Sequence, residues 1–494
     1  MEFSKPLFTG RFIRDFFKTG TARANYSYLL LAQISRAALS VVLMGFLARY
    51  LGVAHFGLFS YAIAFGEFFS FLYDFGLSTI FIRNAAASLN SSDATRIYSN
   101  ALTAQILMVL LTYLIIELCL RLLSTSPEER VLIRLLSLTV GFTIISRLNL
   151  GIFRIFERLQ FEAIAAIFER LGIMVAVGIA IWLKSNFYQI ALTMVFASLG
   201  SYLFTLWLGQ YYFLRFRLTT VRLKEIFHLL RQAAPLAFAS VFSALKDRGG
   251  IFILQWLAGS FALGLFSAAY RLVGPLYLVG VALQTTFLPI FARLSAGLED
   301  KFAETYRLSL RFAVVLGFIL QTVLMYAAIM AIPFIYGQGF QESLPVLQIL
   351  SLTIIPNFGY LITVSILIVK KRMAAVSWLW MITGFSTLLF SWLLCPSWGA
   401  NGLAWSLVLS EFLLFICSYF FVSAHLMSGK IFLTMGKCGA VSISTMIIFT
   451  ILRHYGVLLT LIVTSLAYIA GFLVLKVINL QEVNRLSDEG LCKV

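Results

Sequence analysis

Eight ionisable side chains stand inside stretches apolar and long enough to cross a bilayer: Arg36, Glu67, Asp74, Lys246, Asp247, Arg248, Arg271 and Glu411. A charge in hydrocarbon is costly unless it is paired or faces water, so such groups are candidate substrate, ion or proton sites by default. Helical spacing shows which of them share a face. Gln33, Arg36 and Ser40 stand at i, i+3 and i+7, a polar stripe on the first span, and Ser60, Glu67, Asp74 and Ser78 are 7, 7 and 4 residues apart on the second. Asp74 comes about 24 Å along its span at 1.5 Å per residue, which ranks it below Glu67 as a helix-end partner. In the run Lys246-Asp247-Arg248-Gly249-Gly250, successive side chains are about 100° apart, so Lys246 and Arg248 do not both face one cavity on a regular helix. The glycine pair predicts a local break that re-aims one of them. Ser267, Arg271 and Gly274 share a face of the next span, with Pro275 as a kink.

The four cations are balanced by four acids, so net sign does not choose a substrate. Chemistry favours an anion: three of the four cations are arginines, whose planar fork grips phosphate oxygens in pairs and keeps its charge. Arg36, Arg271, Arg248 and Lys246 are therefore the candidate anion-binding groups. Glu67, Asp247, Glu411 and Asp74 are better suited to pairing with them or to carrying a coupling proton or sodium ion. The plainer reading is that these charges lock helices together, and Glu411 is equally readable as a buried protonated acid. The five cysteines and four histidines are scattered without a ligand spacing, so neither a metal nor a disulfide is expected and no cofactor is implied.

The elements that must position these groups are membrane helices. The chain is 494 residues, 61% hydrophobic and only 12% charged, about half the charged share of a soluble domain. Runs of some 20 residues without strict alternation favour helices over a barrel. We expect an all-α polytopic membrane protein of about 14 spans: near 26–47 and 58–80, then 101–123, 131–150, 163–183, 190–213, 233–258, 262–290, 309–332, 344–369, 373–395, 400–422, 436–453 and 456–476. The weakest of these are the fifth, which begins among Glu162, Glu169 and Arg170, and the short thirteenth. The net charge of +17 follows from lysine and arginine gathering on alternate connections, which the positive-inside rule makes cytoplasmic together with both termini. It does not point to nucleic acid. Residues 1–24 mix basic and aromatic side chains, as a short amphipathic helix on an anionic leaflet would. Every connection is too short for an extramembrane catalytic domain, which argues against an enzyme such as a membrane glycan polymerase or ligase.

One turn is repeated. Leu51-Gly52-Val53-Ala54-His55-Phe56-Gly57-Leu58-Phe59-Ser60 returns as Ala258-Gly259-Ser260-Phe261-Ala262-Leu263-Gly264-Leu265-Phe266-Ser267, six spans later, with a weaker echo from Trp398 to Ser406. Six spans preserve orientation, so the expectation is a parallel duplication into pseudo-symmetric lobes, with a substrate path between them. The chain then divides into a tail (1–24), an N-lobe of spans 1–6 (25–213), a cytoplasmic linker (214–232), a C-lobe of spans 7–12 (233–424) and two further spans with a tail (425–494). Arg36 and Glu67 would have counterparts in Arg271 and Asp247.

Arg49-Tyr50-Leu51-Gly52, Phe56-Gly57-Leu58-Phe59, Asp74-Phe75-Gly76-Leu77, Arg83-Asn84-Ala85-Ala86, the segment Gly151 to Gln160 and the run Phe287 to Ala292 together resemble bacterial polysaccharide transporters of the Wzx type, in the multidrug/oligosaccharidyl-lipid/polysaccharide (MOP) exporter superfamily. The resemblance implies a flippase that moves an undecaprenyl-diphosphate-linked oligosaccharide, an O-antigen, capsule or exopolysaccharide unit, across the inner membrane by alternating access. A polysaccharide polymerase and chain-length proteins are then expected partners, besides the lipid-linked substrate and membrane lipids. In the related lipid II flippases, arginines on spans one and eight serve the cavity, which by position points to Arg36 and Arg271. A cation-coupled multidrug antiporter of the same superfamily is the alternative; it would depend on Glu67 or Asp247 and not on the arginines.

Overall fold

The computed structural model describes residues 22–88, 91–122, 126–295, 299–422 and 430–452, with a few positions between 463 and 471. Nearly all of the expected amphipathic tail, most of the fourteenth span and the C-terminal tail lie outside the described residues.

The described chain is helical throughout. In order the helices are α1 (Ala22–Phe68), α2 (Ser70–Asp74), α3 (Leu77–Ala86), α4 (Ser91–Leu122), α5 (Pro127–Ile155), α6 (Leu159–Trp182), α7 (Phe187–Tyr212), α8 (Leu223–Leu294), α9 (Glu299–Tyr336), α10 (Ser343–Ser351), α11 (Ile354–Val369), α12 (Met373–Phe421) and α13 (Lys430–Leu452). Ten helical runs among the described residues are long and apolar enough to cross a membrane, α6 and α13 among them. The count is lower than the expected 14 because three turns do not interrupt the helix and most of the fourteenth span lies outside the described residues. α1, α8 and α12 each run on through a single non-helical glycine, Gly52 (φ 72°, ψ 173°), Gly259 (φ 76°, ψ −179°) and Gly399 (φ 50°, ψ −125°). Each of these long helices therefore holds two of the expected spans.

Those three glycines lie in the three turns that echo one another in sequence. Gly52 and Gly259 share nearly the same dihedrals, in a region open essentially to glycine alone, so the turn can be made in one residue and the helix restarts at once. Where the chain does need a conventional start, it supplies one. Ser126 accepts from the Glu129 N–H while the Glu129 carboxylate accepts from the Ser126 N–H, with Pro127 opening α5, and Asn186 and Gln189 do the same for α7.

Span two is less regular than its sequence suggests. The helix stops at Phe69, restarts as the single short α2, and breaks again where Phe75 and Gly76 both adopt positive φ. The stripe Ser60, Glu67, Asp74, Ser78 is thus not one face of one helix.

The chain divides into two compact units: Met1–Leu51 with Leu58–Ala244, and Gly52–Gly57 with Leu245–Val494. In the first, α5 packs against α3, α4, α6 and α7. Its core is apolar and aromatic, with Phe81, Tyr98, Leu148 and Ile152 essentially fully buried alongside Ile226 and Ala233 from the start of α8. The segment expected as a linker, 214–232, makes hydrogen bonds within this unit. Ser99 accepts from the Arg217 N–H, and Asn100 accepts from the Arg222 N–H while donating to the Thr220 carbonyl and the Glu225 carboxylate. In the second unit α9, α10, α11, α12 and α13 pack together. There too Gly57 and Gly264 bring two turns into backbone contact. A Cβ on Gly57 would fall 1.8 Å from the Ser260 carbonyl oxygen, and one on Gly264 would fall 2.1 Å from that of Val53. Outward, large apolar side chains such as Trp182, Phe334 and Leu122 stand exposed, the inverse of a water-soluble surface and what lipid requires.

Candidate functional site

In the first unit the charges gather where α1 meets the α5–α6 hairpin. Ala32 of α1 packs on Ala163 and Ala166 of α6, and these small residues let the helices approach closely enough to bring Arg36, one turn further on, to the level of Glu169 and Arg170. Arg36 lies within electrostatic reach of Glu169, Arg170, Glu162 and Arg147. At the hairpin turn, Glu157 takes a positive φ of 54°, the chain reverses, and Arg154 meets Glu162. Their pairing is bidentate, Nε to Oε2 at 2.9 Å and Nη2 to Oε1 at 2.6 Å. The Glu162 side chain is 5% exposed and that of Arg154 49%.

Glu67 is partly buried just before the first interruption of span two. Asp74 sits at the second, where its carboxylate accepts from Ser78 Oγ and, at 3.4 Å, from Gln105 Nε2.

In the second unit Lys246 and Glu411 form an ion pair, Nζ to Oε1 at 2.8 Å, with Asp247 Oδ1 3.6 Å from the same ammonium. Lys246 and Glu411 are 18% and 10% exposed, whereas Asp247 is about half exposed. Tyrosines surround the pair. Tyr270, Tyr277 and Tyr360 all lie within its electrostatic reach. Tyr277 is hydrogen-bonded to Thr353 at 2.6 Å, and Trp380 Nε1 donates to Tyr360 at 2.8 Å. Arg248 lies within reach of Tyr270, and Arg271 within reach of Tyr336, whose ring is 5.6 Å from Phe340 and 6.4 Å from Phe56.

Two sequence expectations need correction. Gly249 and Gly250 do not break α8, whose one non-helical residue is Gly259. They admit α12 instead: a Cβ on Gly249 would meet Leu388 at 2.8 Å and one on Gly250 would meet Leu403 at 2.5 Å. Lys246 and Arg248 accordingly leave a regular helix in different directions, and α8 also runs through Pro275 without a non-helical residue. Second, the repeat does not make Arg271 and Asp247 the counterparts of Arg36 and Glu67. In the register that aligns Gly52 with Gly259 and Gly57 with Gly264, Arg36 falls on Ser243 and Glu67 on Gly274. The duplication preserves the backbone turn and not the charges.

Glu162, Glu169, Arg147 and Arg154 were not among the candidate residues. The signal was present, because Arg147 and Arg154 are seven apart on one helix, and Glu162 and Glu169 are seven apart on the next.

A family model described as Polysaccharide biosynthesis protein matches residues 22–295, more than half of the chain. The chain belongs to this family. A capsular polysaccharide biosynthesis protein, CapF, of Staphylococcus aureus is 26% identical over 220 residues, 44% of this chain and 54% of that protein, so the chain matches about half the length of that curated relative. Among solved structures, a lipid II flippase, MurJ, in an inward closed conformation superposes with a TM-score of 0.74 at 15% identity, covering 92% of this chain and 99% of that one. A multidrug resistance MATE family transporter in an inward-facing conformation gives 0.61 at 14% identity over 83% and 96%. A MOP superfamily transporter from Pyrococcus furiosus gives 0.58 at 15% identity over 84% and 97%. This member of the polysaccharide biosynthesis family is thus a multi-pass membrane protein with the fold seen in MOP superfamily structures.

Proposed function

We propose that the protein is a flippase for a diphosphate-linked lipid oligosaccharide, an O-antigen, capsule or exopolysaccharide unit, in the bacterial inner membrane with both termini cytoplasmic. The observation that carries this reading is the placement of arginine-rich charged clusters inside membrane-length helices of both compact units, in a chain of the polysaccharide biosynthesis family. Guanidinium groups suit a diphosphate because each offers paired donors and stays charged. Arg36 in the first unit and Arg248 and Arg271 in the second take that role in the proposal. Lys246 is already engaged by Glu411, so its part is an exchange of partners: the diphosphate draws on Lys246 as Glu411 is neutralised by a coupling proton or relieved by a sodium ion. Glu67 and Asp247 are the remaining candidates for the coupling step, and Asp74, held by Ser78 and Gln105, is given a positioning role. Polysaccharide polymerase and chain-length proteins are its proposed partners, and the capsular relative favours a capsule-type unit.

The test is genetic and chemical together. Arg271→Ala in the native host is expected to accumulate lipid-linked oligosaccharide on the cytoplasmic face while surface polysaccharide falls. Unchanged surface polysaccharide in that strain would remove the assignment. The multidrug antiporter alternative draws on the MATE likeness and makes the opposite forecast: raised dye sensitivity on deletion, with the arginines dispensable.

A further inference from the structure

The α5–α6 hairpin carries its charges in two tiers. Arg154 on α5 pairs with Glu162 on α6. In an antiparallel hairpin, moving seven residues back along one helix and seven forward along the other reaches the next matched level on the same face, about 10.5 Å deeper at 1.5 Å per residue. Those positions are Arg147 and Glu169, with Arg170 beside Glu169. Arg36 joins this inner tier from α1, brought there by the Ala32, Ala163, Ala166 packing.

The tiers differ in one respect. The outer one is closed by a bidentate pair. In the inner one, among the described residues, no ion pair joins Arg36, Arg147, Glu169 and Arg170, and Arg36 Nε, Glu169 Oε1 and Arg170 Nε are buried without a hydrogen-bond partner. Glu169 is 7% exposed, while Arg147 is exposed. Buried charged groups left open at the level of membrane helices are costly, and a bundle that needed only to be locked would close this tier as it closes the outer one. Three guanidiniums stand against one carboxylate, a surplus of two positive charges. A diphosphate esterified at both ends carries one negative charge on each phosphorus, and its oxygens accept forked N–H donors.

We propose that the inner tier is a diphosphate site within the first unit, in which Arg147 and Arg170 join Arg36 as ligand-binding residues and Glu169 offsets part of their positive charge. The proposal rests on the flippase reading for its choice of ligand and adds the site. Glu169 trims the positive surplus, so its removal leaves the cations freer for the anion.

The experiment measures binding of undecaprenyl diphosphate, undecaprenyl monophosphate and phosphatidylglycerol to the full chain in phosphatidylcholine nanodiscs. The wild type is expected to favour the diphosphate over the monophosphate, and Arg147→Gln and Arg170→Gln are each expected to weaken the diphosphate at least about tenfold, the size of one lost charge-assisted hydrogen bond, with little change for the monophosphate. Glu169→Gln is expected to keep or tighten diphosphate binding; weakening there would overturn its charge-offsetting role. Wild-type diphosphate affinity in both arginine variants overturns the site and leaves the flippase reading standing. Competition by phosphatidylglycerol at equal concentration makes the tier a general anionic-lipid contact and also overturns the site. A wild type that does not bind undecaprenyl diphosphate defeats the flippase reading itself. Should Arg170→Gln fail to fold, Arg147→Gln, on an exposed side chain, decides the matter.

Discussion

At the scale of single residues, the two ion pairs differ in which partner is buried, and that fixes the sign of simple substitutions. Glu162 is nearly sealed while Arg154 is half exposed. Arg154→Gln strands a buried carboxylate and is expected to cost about 3 kcal/mol, the low end for a broken buried pair because the partner lost was only partly desolvated. Glu162→Gln leaves a cation that can reach headgroups or water, so it should cost less. Thermal unfolding of the two variants in detergent compares them directly, and equal shifts would contradict the burial argument. Lys246 and Glu411 are both largely buried, so here either single change should be harmful. Lys246→Met with Glu411→Leu should recover the melting temperature lost by Lys246→Met alone. Transport should not recover with it; a double variant that transports would make the pair purely structural. Much of this was legible in sequence as residue type and depth, since Lys246 and Glu411 were already candidates. Their pairing was not, because they lie 165 positions apart and periodicity carries no information across helices.

At the scale of elements, hydropathy pointed to membrane-length helices, of which the described residues hold ten, and misjudged what glycine does in them. The pair Gly249-Gly250 reads as a break, yet it serves close packing against Leu388 and Leu403. Gly52 does the opposite and bends the chain, and a Cβ added there would meet no neighbouring atom within 4 Å. Composition cannot separate these uses, because one depends on a neighbour and the other on a backbone angle. They do predict different costs. Gly52→Ala meets only dihedral strain, about 1–3 kcal/mol. Gly57→Ala must push its β-carbon through the Ser260 carbonyl and should exceed the usual overpacking cost of about 1–3 kcal/mol. Melting temperatures in detergent should therefore fall further for Gly57→Ala than for Gly52→Ala, and the reverse order would mean that the crossing is loose. The charged entry to α6 was a misleading signal of another kind. Glu162, Glu169 and Arg170 lower the window average and so weakened the fifth span, although they form a stripe on one face of a 24-residue helix. An average over a window discards the direction in which each side chain points.

At the scale of the whole molecule, the expected topology follows from the alternation of basic and neutral connections, and it can be measured. With the native cysteines replaced, a single cysteine at Ser185, in the short connection before α7, should react with an impermeant maleimide in spheroplasts. One at Arg217, in the basic connection before α8, should react only after the membrane is opened. Labelling at both from outside would defeat the assigned orientation. The class of the protein was readable because a chain that is 61% hydrophobic has few ways to satisfy its backbone in lipid. The placement of charges on the fold was not, because the short motif shared by the turns at Gly52 and Gly259 is not accompanied by matching ionisable residues.

The reciprocal contact between those turns has an evolutionary consequence. Gly57 lies against residue 260 and Gly264 against residue 53, and in the repeat 53 and 260 are each other's equivalents, as are 57 and 264. In a repeated segment most positions of the two copies are free to differ. Here each glycine faces the other copy's backbone, which no side-chain substitution can shrink, so neither position can accept a β-carbon while the crossing keeps its form. Gly57 and Gly264 should therefore both be held to glycine, and that shared restriction accounts for the short turn being recognisable at both places in the chain.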